Sequence, residues 1–168
     1  MVFENLAFLT QGWIEQFGYM AVFIGSIITT SLVLFPTSTL PVIILAVSLG
    51  LNPFIVGILA GIGFAIGQLT GYLIGFGGTT LLQKYRKKTP KLIKRVEKLF
   101  IRFRFWFILV YSALPIKPIP FDVIGILSGL ERYNIKKFYL ATAIGYIIMA
   151  LLIAYGWKIG FSFIRDLI

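Results

Sequence analysis

The chain alternates between long apolar stretches and short polar or basic ones. Residues 3–17, FENLAFLTQGWIEQF, place Phe3, Leu6, Leu9, Trp13, Ile14 and Phe17 at roughly helical spacing, which predicts an interfacial amphipathic helix. An uncharged segment follows to Phe35 and stops at Pro36. Next comes PTSTLPVIILAVSLGLNP, too short to cross a membrane comfortably and closed by a Gly-Leu-Asn-Pro turn. Residues 54–79 form a long apolar segment, ample to span hydrocarbon at about 1.5 Å per helical residue. Residues 84–104 differ: Leu92, Ile93, Val96, Leu99, Phe100 and Phe103 line one helical face among many Lys and Arg. The pattern predicts a basic amphipathic helix lying on a membrane surface. Residues 105–130 hold three prolines, a polar turn ERYNIKK occupies 131–137, and 138–157 reads as a second clean span before a short basic tail.

Two proline-bearing stretches resemble each other. FPTSTLPVIILAVSLGL (35–51) and LPIKPIPFDVIGILSGL (114–130) share the pattern P-x4-P-x8-G-L, pairing Pro36 with Pro115, Pro41 with Pro120, Gly50 with Gly129 and Leu51 with Leu130. The elements around them recur in the same order, which indicates an internal duplication within one membrane domain of residues 1–168, divided as 1–83 and 84–168. Charge sets the expected orientation. Ten of the 16 Lys and Arg residues fall in 84–104, and 131–137 has three cations against Glu131, so both segments should be cytoplasmic. Residues 105–130 must then enter and leave on one side as a re-entrant hairpin. The span before them ends inside, so the first hairpin enters from outside. The expected fold is all-α and polytopic, with two inverted repeats, each an amphipathic helix, a re-entrant helical hairpin and a long transmembrane helix.

Composition strengthens the membrane reading and narrows the chemistry. Mean hydropathy is +0.93 and 58% of residues are hydrophobic; between Gln16 and Gln83 there is no Asp, Glu, Lys or Arg. Such a run cannot be the core of a soluble protein of this size. Glu4 stands where a signal peptide would carry a base, so cleavage is not expected. With neither Cys nor His, thiolate chemistry, disulfides, haem and most zinc or iron sites are excluded, and no cofactor or metal is expected. Asp122 is the carboxylate expected within the membrane, so an aspartyl dyad cannot form and an enzyme is not expected. The net charge of +10, placed beside apolar segments, points to anionic lipid headgroups rather than nucleic acid. Lys91, Lys94, Arg95, Lys98 and Arg102 are the expected membrane-surface contacts.

Candidate site residues gather at the breaks. Non-helical backbone is tolerated at membrane depth where protein or a water-filled cavity satisfies it. Pro36, Pro41, Pro115 and Pro120 would break the hairpins, and Asp122, two residues after Pro120, would sit in the first turn of the returning helix. Lys117 and Asp122 would neutralise each other or contact a charged substrate; the competing reading has Lys117 reaching the headgroups and Asp122 capping its helix. Ser38 and Thr39 are the uncharged capping candidates in the first hairpin. Gly63, Gly67, Gly71 and Gly75 recur every four residues as a smooth packing stripe, which could also carry a homo-oligomer. Gln68, the amide of that span, and Tyr72 one turn later are candidates for cavity lining or interhelical hydrogen bonding.

LPIKPIPFDVIGILSGLERYNIKKF, preceded by GQLTGYLIGFGG, resembles the DedA family, also called the SNARE-associated Golgi protein or VTT-domain family, over about residues 18–160 and best in its short YqaA-like branch. The resemblance implies an integral membrane protein with two facing re-entrant hairpins and a role in lipid movement. In that family the cargo includes undecaprenyl phosphate and phosphatidylethanolamine in bacteria, and phospholipids are scrambled by eukaryotic relatives. Pro115, Lys117, Asp122, Gly129, Gly67 and Tyr72 match the family pattern. Where the pattern has an acid in the first hairpin, an Asp after the glycine and two arginines around the second hairpin, this chain has Thr37–Thr39, Gln68, Ser112 and Pro118. The acid–arginine set associated with proton coupling is therefore largely replaced. The expected function is a flippase- or scramblase-like lipid transporter in the cell membrane. A small-solute or ion transporter on the same plan is the alternative, and a non-transporting assembly partner is a third reading.

Overall fold

The computed structural model describes residues 2–31, 40–78, 91–115 and 121–165, with side chains described at 17–31, 40–78, 98–115 and 121–160. Among these residues the chain forms six helices: α1 (Val2–Ser31), α2 (Leu40–Ser48), α3 (Pro53–Gly77), α4 (Lys91–Ala113), α5 (Phe121–Leu130) and α6 (Ile135–Arg165). Two stretches, Pro53–Gly77 and Ile135–Gly160, are long and apolar enough to cross a membrane.

The centre is the α3–α6 pair. The two helices run antiparallel, since Gly57 meets Leu151, Gly61 meets Ile147 and Tyr72 meets Phe138. At Gly61 the backbones touch: a methyl group there would come within 2.6 Å of the Ile147 N and Cα atoms. Hydrogen-bonded backbones can approach this closely only where a side chain is missing. Phe64, Tyr146, Met149 and Ala150 fill the space around this contact and are almost fully buried.

The other helices flank this pair in a repeated way. α1 lies parallel to α3, with Tyr19 beside Asn52, Ser26 beside Gly63 and Thr30 beside Gly67. α4 lies parallel to α6, with Phe100 against Tyr133 and Ser112 against Gly145. α2 runs back along α1, so Val42 lies near Gly25 and Leu51 near Gly18. α3 therefore starts at the level of Gly18, not at the far end of α1. Each short helix also crosses to the long helix of the other half: α2 packs on α6 and α5 on α3. One end of the bundle thus carries Tyr19, Ser48, Asn52 and Trp157. The other carries Gly77, the turn 131–134 and the Arg104 region, and is the basic end.

Several boundaries differ from those the pattern predicts. α1 is one continuous helix through Gly18, because a single glycine weakens a helix by about 1 kcal/mol without breaking it. α4 joins the basic amphipathic stretch to the following apolar one, and the two meet at a kink at Arg104 (φ 32°, ψ −93°). That kink falls where the basic segment was expected to end; residues 84–90 lie outside the described residues. α6 begins at Ile135, three residues before the apolar span.

The two turns that follow the short helices share one local geometry, at an offset different from that of the proline alignment. After α2, the Gly50 N–H bonds to Val47 O at 3.0 Å and the Leu51 N–H to Ala46 O at 3.2 Å. After α5, the Arg132 N–H bonds to Gly129 O at 3.0 Å and the Tyr133 N–H to Ser128 O at 2.9 Å. This is the Schellman pattern of a helix C-terminus, and its left-handed residue is Gly50 (φ 87°) in one case and Arg132 (φ 48°) in the other. Asn52 and Asn134 then cap α3 and α6. Corresponding positions are 82 apart (Gly50 and Arg132, Asn52 and Asn134, Gly63 and Gly145). The proline alignment, which pairs Gly50 with Gly129, slips by three residues, nearly one helical turn, relative to this geometry.

Candidate functional site

The long helices are mostly apolar where they meet, so polar side chains buried between them are the informative ones. Gln68 of α3 is 3% exposed and Tyr146 of α6 is 2% exposed. Asp122, in the first turn of α5, is half-buried beside them. The Gln68 side chain hydrogen-bonds both the Asp122 carboxyl and the Tyr146 hydroxyl. Its Oε1 has no partner, so both bonds run from the two hydrogens of the amide nitrogen. Counting about 1.5 Å per residue, Gln68 lies about 13 Å from the basic end of α3 and Tyr146 about 16 Å from the start of α6. The cluster therefore sits towards the middle of the two long apolar stretches, away from either end of the bundle.

Glycines bring α5 this close. Asp122 and Gly125 lie over Gly71, Ile126 over Gly75, and Gly129 over the backbone between Tyr72 and Phe76. Gly63 and Gly67 face α1 instead, at Ser26 and Thr30. The glycine stripe is thus occupied within the chain, and its face is not free for a second copy. An aromatic wall closes the cluster: Phe121 lies between Tyr111 and Tyr146, with ring centres 6.2 and 5.4 Å away. Phe64 stands 5.5 Å from Tyr146 on its other side.

Two of the other buried hydroxyls are neutralised locally. Thr30 donates to the Ser26 carbonyl at 2.9 Å and reaches the Phe64 carbonyl of α3 at 3.1 Å. Ser112 donates to the Ile108 carbonyl at 2.8 Å and reaches the Ala141 carbonyl of α6 at 3.5 Å. Ser26 Oγ and Thr142 Oγ1, like Gln68 Oε1, are buried without a partner. Tyr72 is buried but turned away from Asp122: its hydroxyl donates to the Tyr133 carbonyl and pins α3 to the turn after α5.

Of the residues singled out in the sequence, Gln68 and Asp122 come together, and Tyr146 joins them unforeseen. A rule that flagged every hydroxyl inside ATAIGYIIMA would have found it. Pro41 is exposed near the start of α2 and Pro115 is exposed just after α4. Lys98 and Arg102 are exposed on α4, and Lys91, Lys94 and Arg95 lie on the same helix. Pro36, Ser38, Thr39, Lys117 and Pro120 lie outside the described residues. At the basic end, burial pushes the Tyr133 hydroxyl up while Arg104 pulls it down. At the opposite end, an apolar cavity of about 210 Å³ lies between α1 and α2, lined by residues including Gly18, Val22, Gly25, Val42 and Leu45. Among the described residues no cluster of three carboxylate, thiol or imidazole groups could hold a metal.

Comparison with known families decides the class. The VTT domain, the domain of the DedA and SNARE-associated Golgi proteins, matches residues 35–158. The chain belongs to the VTT-domain family. This is a membrane-associated family, transporter-like rather than enzymatic, and the match runs from the first proline-bearing stretch to the end of the second apolar helix. No curated protein and no solved structure matches the chain. This VTT-domain protein has Gln68 and Tyr146, both neutral, facing Asp122 across the α3–α6 pair.

Proposed function

We propose that this protein moves a lipid, or the polar headgroup of one, between membrane leaflets along the face where α5 meets α3 and α6. The observation that carries this reading is the Gln68–Asp122–Tyr146 cluster, with a buried acceptor atom left open on Gln68. An unmet acceptor in low dielectric costs about 1–3 kcal/mol. Such a group is retained where a passing ligand, water or proton meets it. The surrounding apolar wall suits acyl chains, and Asp122 with the open amide oxygen suits a headgroup bearing donors. In this reading α1 with α2, and α4 with α5, are the two re-entrant hairpins of inverted repeats. The return of α2 along α1 supports the first, and the parallel packing of α4 on α6 supports the second. Lys117 would offer a cation to a phosphate entering from the cytoplasmic side.

The test is a liposome assay with headgroup-labelled lipid and an impermeant quencher. Wild-type protein should expose inner-leaflet label faster than empty liposomes. Asp122→Asn, Gln68→Leu and Lys117→Gln should each slow it about tenfold or more. Equal rates with and without protein, for anionic and zwitterionic lipids alike, would instead favour solute or ion transport on the same plan.

A further inference from the structure

Among the described residues two non-glycine positions have positive φ, and both are arginines: Arg104 at 32° and Arg132 at 48°. Both lie at the basic end, around Tyr133. Left-handed backbone is unfavourable for a residue with a Cβ, and such strain persists where the position serves something else. The chain contains its own control. Gly50 occupies the same place in the same Schellman turn after α2, with the matching hydrogen bonds. The turn therefore does not require a cation, nor does the helix C-terminus it closes, since α2 ends there with none.

We propose that Arg132 and Arg104 form a binding site for the phosphate of an anionic lipid headgroup at the basic end of the bundle. Both guanidinium groups are held in place by rings: Arg132 lies 5.7 Å from the centre of the Phe76 ring, and Arg104 6.0 Å from that of Tyr133. Aromatic support limits the rotamers of a long side chain and keeps its donors forward, which suits a planar fork meeting phosphate oxygens. Arg102, Lys136 and Lys137 are exposed nearby in sequence, and Glu131 is the carboxylate in the same turn. Next to the charges along α4, Ile101, Phe103 and Trp106 are exposed apolar side chains, and Trp106 is 67% exposed. Cations beside exposed apolar surface match a phospholipid rather than a soluble anion. The site stands whether or not the protein transports lipid.

The decisive experiment measures melting temperature of the whole protein in nanodiscs of phosphatidylcholine alone and with phosphatidylglycerol added. Wild type should melt higher in the anionic discs. Arg132→Gly removes the charge and relieves the backbone at once. It should melt at or above wild type in phosphatidylcholine yet lose at least half of the anionic increment. Arg132→Lys should keep most of it, and Arg104→Gln should lower it as Arg132→Gly does. Lys158→Gln removes one charge at the opposite end and should leave the increment intact. Full retention of the increment in Arg132→Gly and Arg104→Gln would overturn the proposal. So would an equal loss in Lys158→Gln, which would make the effect one of net charge. An increment reproduced by millimolar inorganic phosphate in phosphatidylcholine discs would overturn the assignment to a lipid.

Discussion

Glycines separate contact from mere space at the scale of single residues. Gly61 lies against the Ile147 backbone, whereas a side chain at Gly77 would meet nothing within 4 Å. Gly61→Ala should therefore destabilise the fold by about 1–3 kcal/mol through overpacking. Gly77→Ala should be neutral or stabilising by up to about 1 kcal/mol, because alanine is the better helix former. Thermal unfolding in one detergent distinguishes the two, and equal effects would contradict the packing described here. Tyr146→Phe removes a hydroxyl that Gln68 binds without changing shape. It should leave the melting temperature within a few degrees of wild type while lowering lipid movement several-fold. Gln68 and Asp122 were readable in the sequence because a polar group in an apolar run is conspicuous. Their meeting was not, since it depends on how α5 rotates over Gly71 and Gly75. Tyr146 escaped notice because tyrosine is common in apolar helices, where its ring alone explains its presence.

Repetition is the lesson at the scale of elements. Asn52 accepts one backbone N–H, from Phe54 at 2.9 Å. Asn134 accepts two, from Lys136 at 3.0 Å and Lys137 at 3.2 Å. Each Asn→Ala change should cost about 0.5–2 kcal/mol, with Asn134→Ala the larger, measurable as a shift in denaturation midpoint. The Gly-Leu-Asn-Pro turn and the start of α3 were legible because Gly, Asn and Pro each have one backbone role there. The second turn was harder. A left-handed arginine leaves no trace in a sequence, so alignment on prolines and glycines did not pair the two turns. The break at Arg104 was legible for a different reason: charge density drops abruptly there. The unbroken course of α1 was not, since amphipathic and fully apolar segments differ in polarity and not in backbone conformation.

At the scale of the whole molecule, the charged and aromatic ends of the bundle define two faces. The chain contains no cysteine, so single cysteines report side without background. An impermeant thiol reagent applied to intact cells should label Lys158→Cys and Leu49→Cys but not Lys137→Cys. Labelling of Lys137→Cys alone would reverse the orientation, and labelling of Leu49→Cys and Lys158→Cys from opposite sides would contradict the return of α2 along α1. The membrane class and the two long helices followed from hydropathy, whereas the exchange of short helices between halves did not. Hydropathy gives the lengths of segments and is silent about their neighbours. That exchange has a consequence for how the protein is made. Ser48 receives its hydrogen bond from Trp157 at 2.9 Å, across 109 positions of chain, and α2 packs on a helix that is synthesised well after it. Until α6 emerges, α2 lacks one of the surfaces that bury Ile43 and Ala46. The first half must therefore wait in the membrane, unfinished, while the second is translated, and a ribosome stalled before α6 would leave behind a partner-seeking fragment rather than half of a working protein.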